Sequence, residues 1–232
     1  PSRLDGKEVP GVTSYLTTPG ATQGQPKRLV ANANKSFIGN YVLGMGFVLT
    51  SAEAEALIAR DGRNRAVLFP YMNGEDLNSR WDHSGSRWVI NFRDWPLDRQ
   101  SAPPGYEGPV AADYPACLEI VERCVRPERQ RVKPDGQFVL RKPLPQRYWH
   151  FAEKQPALQA AIANLGRVLV TAQTSRTQSP AFVPVGVVYS HKVIVFALPE
   201  SRWLGLLGSS IHQAWVFAYG STLRTDAVYT PT

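Results

Sequence analysis

The apolar residues of this chain come in short runs, and that fact limits what it can fold into. Runs such as Val185 to Tyr189 and Val193 to Leu198 hold five and six residues. A membrane-spanning helix needs about 20 consecutive apolar residues, so no span is expected. A chain that is 43 % hydrophobic and only 19 % charged is neither disordered nor collagen-like. At 232 residues it can bury most of its apolar surface in one large domain or two small ones.

Local signals divide the chain. Pro1 to Pro26 mixes Gly, Pro, Thr and Gln with no periodic apolar pattern, so residues 1–35 read as a loop-rich N-terminal connector and 36–232 as the domain proper. Phe37 to Leu49 is strand-like but punctuated by Gly39, Gly44 and Gly46. Thr50 or Ser51 then suits an N-cap, with Glu53 in the first turn of a short helix over Ala52 to Arg60. Val67 to Phe69 and Trp88 to Phe92 read as strands. Leu118, Val121 and Val125 recur at spacings of three and four, which predicts an amphipathic helix over Tyr114 to Arg123. That register puts Cys117 and Cys124 on one face, as two small core residues. Pro127 to Pro145 shows no period and reads as a basic loop. A helix over Pro156 to Leu165 precedes strands at Arg167 to Thr171, Val183 to Tyr189 and Lys192 to Phe196. His191 and Lys192 fall at the turn between the last two. Leu204 to Tyr219 reads as one long apolar helix. Together these predict an α+β fold: a mixed, mainly antiparallel sheet with several flanking helices in a single compact domain.

Chemical tools are scarce. Two cysteines cannot build a disulfide framework or a four-ligand zinc site. With no charged segment followed by an apolar one at the start, a reduced, cytoplasmic setting is expected. The chain lacks an initiating Met and stops at Thr232, which suggests a piece of something larger. No phosphate-binding loop, dinucleotide fingerprint or nucleophile elbow is present, and His83, His150, His191 and His212 lack metal-ligand spacing. Glu75 and Asp76, beside Asn73-Gly74, suit a turn with capping carboxylates better than an acid/base pair. His212 suits packing better than catalysis. Neither a catalytic residue nor a metal ligand is assigned.

The charge is local. Between Arg123 and Arg147 eight basic residues face only Glu128 and Asp135, which accounts for nearly all of the chain's net +7. Arginine dominates, and Tyr148, Trp149 and Phe151 follow. Phosphates need cations and exposed bases need flat partners, so a nucleic-acid groove is one reading. A solvated basic loop beside core aromatics is the other.

Longer blocks carry a resemblance. Leu68-Phe69-Pro70-Tyr71-Met72-Asn73-Gly74-Glu75-Asp76-Leu77-Asn78 and Arg87-Trp88-Val89-Ile90-Asn91-Phe92-Arg93-Asp94-Trp95-Pro96 are two of them. Tyr148-Trp149-His150-Phe151-Ala152, Phe182-Val183-Pro184, Ser209-Ser210-Ile211-His212-Gln213-Ala214-Trp215 and Tyr219-Gly220-Ser221 complete the set. In order and content, over about residues 28 to 232, they resemble the target recognition region of type IIL, MmeI-like restriction-modification enzymes and their adenine-specific methyltransferase relatives. The resemblance implies double-stranded DNA as partner. It also implies a methyltransferase domain of the same parent chain, which would use S-adenosylmethionine; no cofactor is expected in this piece. Members change specificity near the end of this region, which here looks like Leu223 to Tyr229. Arg224, Thr225 and Asp226 are therefore candidate base readers, and His191 and Lys192 form a second candidate strip. Arg126, Arg129, Arg131, Lys133, Arg141 and Lys142 are the expected backbone contacts. The alternative is a protein-interaction module docking other domains through Trp203, Leu206, Leu207 and Trp215, without base readout.

Overall fold

Asp5 and Gly6, both at positive φ, reverse the chain between β1 (Ser2–Leu4) and β2 (Lys7–Val9). Asp-Gly is a favoured pair for such a two-residue turn, so an antiparallel hairpin stands where the sequence reading saw only loop. In the computed structural model, residues 2–12, 18 and 29–231 are described. The rest of the expected connector, residues 1, 13–17 and 19–28, lies outside the described residues, as does 232. The chain divides into two units, Pro1–Ala33 and Asn34–Thr232.

The second unit runs in order through β3 (Ser36–Ile38), β4 (Val48–Leu49), α1 (Ser51–Arg60), β5 (Leu68–Met72), α2 (Gly74–Ser79), β6 (Arg87–Ile90), α3 (Pro115–Cys124) and α4 (Arg126–Arg129). Then come α5 (Pro156–Ile162), β7 (Arg167–Ala172), β8 (Thr174–Ser175), β9 (Ala181–Pro184), β10 (Val188–Tyr189) and β11 (Val193–Phe196). Helices α6 (Ser201–Leu207) and α7 (Ser210–Tyr219) and the hairpin β12 (Ser221–Leu223) and β13 (Asp226–Val228) close it. The fold is α+β, as the sequence predicts, with three sheets in this unit in place of one. Their orders are β10-β5-β6-β4, β3-β11-β7-β9 and β12-β13-β8. All pairings are antiparallel except β10 with β5, where Val188 stands opposite Tyr71.

Strand β11 explains the middle sheet. Val193 and Val195 point into one cluster with Leu158, Ile162 and Val168, whereas Ile194 and Phe196 point into another with Leu169, Trp203 and Leu207. Alternate side chains leave opposite faces of a strand. Helix α5 covers one face and α6 the other, so every residue of β11 is buried. Around the first sheet, Phe47, Val67, Val89, Phe92, Cys117 and Val121 form a separate core.

Caps set several boundaries. Thr50 Oγ1 accepts from the Glu53 N–H at 3.3 Å, and Glu53 Oε2 accepts from the Thr50 N–H at 2.8 Å. This reciprocal capping fixes the start of α1 and holds the Glu53 carboxyl below its usual range. Asn73 and Asp76 do the same for α2, with Asn73 Oδ1 accepting from the Glu75 and Asp76 N–H groups.

Four local expectations need correction. The apolar run Leu204 to Tyr219 is not one helix, because Ser209 turns to extended backbone and caps α7 by accepting from the His212 N–H at 3.2 Å. Val183 to Tyr189 is two strands, broken where Gly186 takes φ 91°. Phe37 to Leu49 is paired at its two ends, β3 and β4, and turns at Leu43 and Gly44, both at positive φ. Of the cysteines only Cys117 is buried; Cys124, in the last turn of α3, is exposed. Burial pushes the Cys117 thiol up to about 12. In the native protein a thiol reagent at pH 8 is therefore expected to modify one cysteine quickly, with the second reacting only after denaturation. Two fast equivalents would contradict this packing.

Candidate functional site

Backbone hydrogen bonds make a fixed corner where β10 hands over to β11. The Ser190 N–H donates to Met72 O at 2.8 Å, tying the corner to the first sheet. The His191 N–H donates to Asn40 O at 2.8 Å, and the Asn40 N–H to Tyr189 O at 2.7 Å. Ser190 Oγ accepts from the Lys192 N–H at 3.1 Å. The crossing is so close that a Cβ on Gly39 would lie 2.1 Å from Ser190 O, so only glycine fits there.

This corner borders a cleft of about 800 Å³. Tyr41, Glu75, Arg87, Thr174, His191 and Lys192 are among its lining residues, and Leu223 closes one side. The Tyr41 ring meets His191 edge-on with centroids 4.6 Å apart. Glu75 and Arg87 face each other at 3.9 Å on the cleft wall. Burial, with Lys192 beside it, lowers the pKa of His191, and Glu153 opposes this in part. The imidazole is therefore neutral at neutral pH, and its Nδ1 is buried without a hydrogen-bond partner. With Nδ1 buried, Nε2 is the ring nitrogen left for an outside partner, as donor or acceptor according to the tautomer.

The other candidate strip, Arg224 to Asp226, approaches the same place from the end of the chain. In the β12–β13 hairpin Leu223 pairs with Asp226, so Arg224 and Thr225 form the two-residue turn, with Arg224 at φ 57°. Strand β13 pairs with β8, setting Val228 opposite Thr174. Leu223 and Thr174 both line the cleft, and Arg224 and Thr225 are exposed at its edge. Asp226 is half-buried, with its carboxylate 3.5 Å from the Thr225 hydroxyl.

The basic stretch does not line this cleft. Arg126 is held by Gln130 at 3.1 Å and lies over the Tyr148 ring, with Glu122 at 3.9 Å. Beyond it, residues 131–139 form a short finger: the Val139 N–H donates to Arg131 O at 2.9 Å, and the Lys133 N–H to Gln137 O at 2.7 Å. Arg131, Lys133, Arg141 and Lys142 are exposed and make no ion pair among the described residues. Arg129 is different and corrects the sequence reading. It is 1 % exposed, and its guanidinium donates to the carbonyls of Val42, Leu43, Tyr148 and His150. With its donors turned inward it cannot reach a phosphate.

Tyr41, Thr174 and Arg87 were not singled out from the sequence as site residues. Arg87 opens one of the resemblance blocks and Tyr41 and Thr174 carry no motif, and only the folding of distant segments brings the three to one cleft. Among the described residues no cluster of His, Cys, Asp and Glu could hold a metal ion, and no helix is long and apolar enough to cross a membrane.

Comparison with solved structures finds a likeness to MmeI, a type IIL restriction-modification enzyme determined in complex with DNA. The TM-score is 0.66 at 16 % identity, covering 96 % of this chain and 27 % of that one. The present chain thus spans little more than a quarter of that enzyme's length. No family model and no curated protein matches the sequence.

Proposed function

We propose that this chain recognises specific sequences in double-stranded DNA, as the target recognition domain of an adenine-specific methyltransferase or restriction-modification enzyme. The observation that carries this reading is the meeting on one cleft of His191-Lys192 and, far away in sequence, Leu223, which leads directly into the Arg224-Thr225 turn. The fold likeness to an enzyme solved with DNA supports it. His191, Lys192, Arg224, Thr225 and Asp226 read base edges, joined by Arg87 and Glu75. Arg126, Arg131, Lys133, Arg141 and Lys142 hold phosphates. Catalysis belongs to a methyltransferase domain of the parent chain, where S-adenosylmethionine supplies the methyl group.

A salt titration with a pool of random-sequence duplexes tests the reading. Five phosphate contacts predict that log K falls with log salt at a slope near −4.5, from about 0.9 per contact. Sequencing the bound fraction should show an enriched motif. Arg224→Ala should relax one position of that motif at a cost of about 1–3 kcal/mol. No binding at low salt rejects the proposal.

One observation favours a second reading. Trp203 and Leu207 pack inward against the middle sheet, but Leu206, Ile211 and Trp215 are exposed on the surface of α6 and α7. Such a face suits docking against another domain. The double variant Arg131→Ala, Arg141→Ala separates the two: it weakens DNA binding in the first and changes nothing in the second.

A further inference from the structure

The loop between α2 and β6 presents the most exposed large apolar side chain among the described residues. Trp81 is 93 % exposed. Its loop is firmly built. Asp76, itself 3 % exposed, accepts from the Asn73 N–H at 2.8 Å and from the Ser86 N–H at 3.2 Å, and so ties the loop's far end back to α2. Within the loop the His83 N–H donates to Arg80 O at 3.1 Å, Arg80 Nε to Ser84 Oγ at 2.9 Å, and the Ser84 N–H to Asp82 at 3.2 Å. On the return leg a Cβ on Gly85 would lie 2.5 Å from Tyr71 O, so the backbone presses directly on β5. The indole is held out by an ordered frame.

Its position gives it a use. Ser79 and Arg87, the residues bounding the loop, both line the cleft, so the loop that carries the ring borders the cleft. Its neighbours are Arg80, Asp82, His83 and Ser84, with Arg80 and Asp82 3.6 Å apart. A protein interface needs a contiguous apolar patch, which this loop lacks. A single flat ring framed by polar groups instead matches the face of one base.

Resting on the DNA reading above, we propose that Trp81 is a base-stacking residue that engages an unstacked base of a duplex seated in the cleft. The test uses the whole chain and a pool of short random-sequence duplexes at low salt. Subtracting the emission of Trp81→Phe from that of the wild type isolates the Trp81 signal from the other five tryptophans. Stacking is expected to quench that signal on DNA addition. Trp81→Ala should bind about tenfold more weakly, Trp81→Phe should keep most of the affinity, and both should melt like the wild type. The proposal is overturned if the wild type binds DNA with the Trp81 signal unquenched, or if Trp81→Ala binds as tightly. Failure of the wild type to bind DNA removes the DNA reading itself, and the stacking role with it.

Discussion

Arg129→Ala is expected to lose about 4 kcal/mol of folding stability and about 10 °C in melting temperature. The guanidinium reaches the carbonyls of Val42 and Leu43 at 2.7 Å and of His150 at 2.6 Å, and lies over the Phe47 ring at 5.2 Å. It thereby joins two segments distant in sequence to α4. No carboxylate pairs with it among the described residues; carbonyl dipoles hold the charge. Burial pushes its pKa down to about 10, with Glu128 opposing, so it remains a cation at neutral pH. Truncation leaves several buried carbonyls without donors and opens a cavity. Arg129→Lys, with a single head, should recover less than half of the loss. Exposed Arg131→Ala and Arg141→Ala should each change stability by no more than about 0.5 kcal/mol. A melting temperature for Arg129→Ala indistinguishable from the wild type would falsify this account of the arginine.

Lowering the pH from 7 to 4.5 should also destabilise the protein, chiefly through His150. Its Nε2 lies 2.8 Å from Trp95 O and therefore donates, while Nδ1 faces Lys154 Nζ at 3.4 Å. Lys154 in turn pairs with Asp94. Burial drives the His150 pKa down to about 4; the bond to Trp95 opposes this and Lys154 adds to it. The unfolded chain, with an ordinary histidine pKa near 6.5, binds this proton first. The stabilising contribution is thus fully present above pH 6.5 and declines as the pH falls toward 4. The full effect is on the order of 3 kcal/mol. The pKa values of His191 and His212 are lowered too, which adds in the same direction. Melting curves across this window measure the effect, and His150→Gln should flatten the slope. A melting temperature that stays level from pH 7 to 4.5 rules out a buried neutral His150.

What the sequence made legible was local. Thr50 and Glu53 announced α1, the spacing of Leu118 and Val121 announced α3, and Lys192 to Phe196 read as a strand, one residue longer than β11. The α+β class followed from the shortness of such segments. The α6–α7 break was missed because the short Gly208-Ser209-Ser210 interruption inside an apolar run is a weak signal beside the run itself. Arg129 looked like Arg126 and Arg131 because its burial depends on carbonyls at Val42, Leu43, Tyr148 and His150, which no local window contains. The cleft was half legible. His191-Lys192 stood out as a turn and Arg224 to Asp226 through the resemblance, but their meeting depends on β13 pairing with β8 and β10 with β5, contacts between segments far apart in the chain.

The corner at Ser190 to Lys192 is held by main-chain bonds to Met72 and Asn40. Among the described residues, the side chains of His191 and Lys192 and that of Arg224 contribute no hydrogen bond to that framework. What these side chains present and what holds the fold are therefore separate inheritances in this chain. Under the DNA reading proposed above, substitutions at these positions alter the letters recognised while the sheets beneath keep their register, and a lineage drifts through new targets without first having to survive a misfolded ancestor.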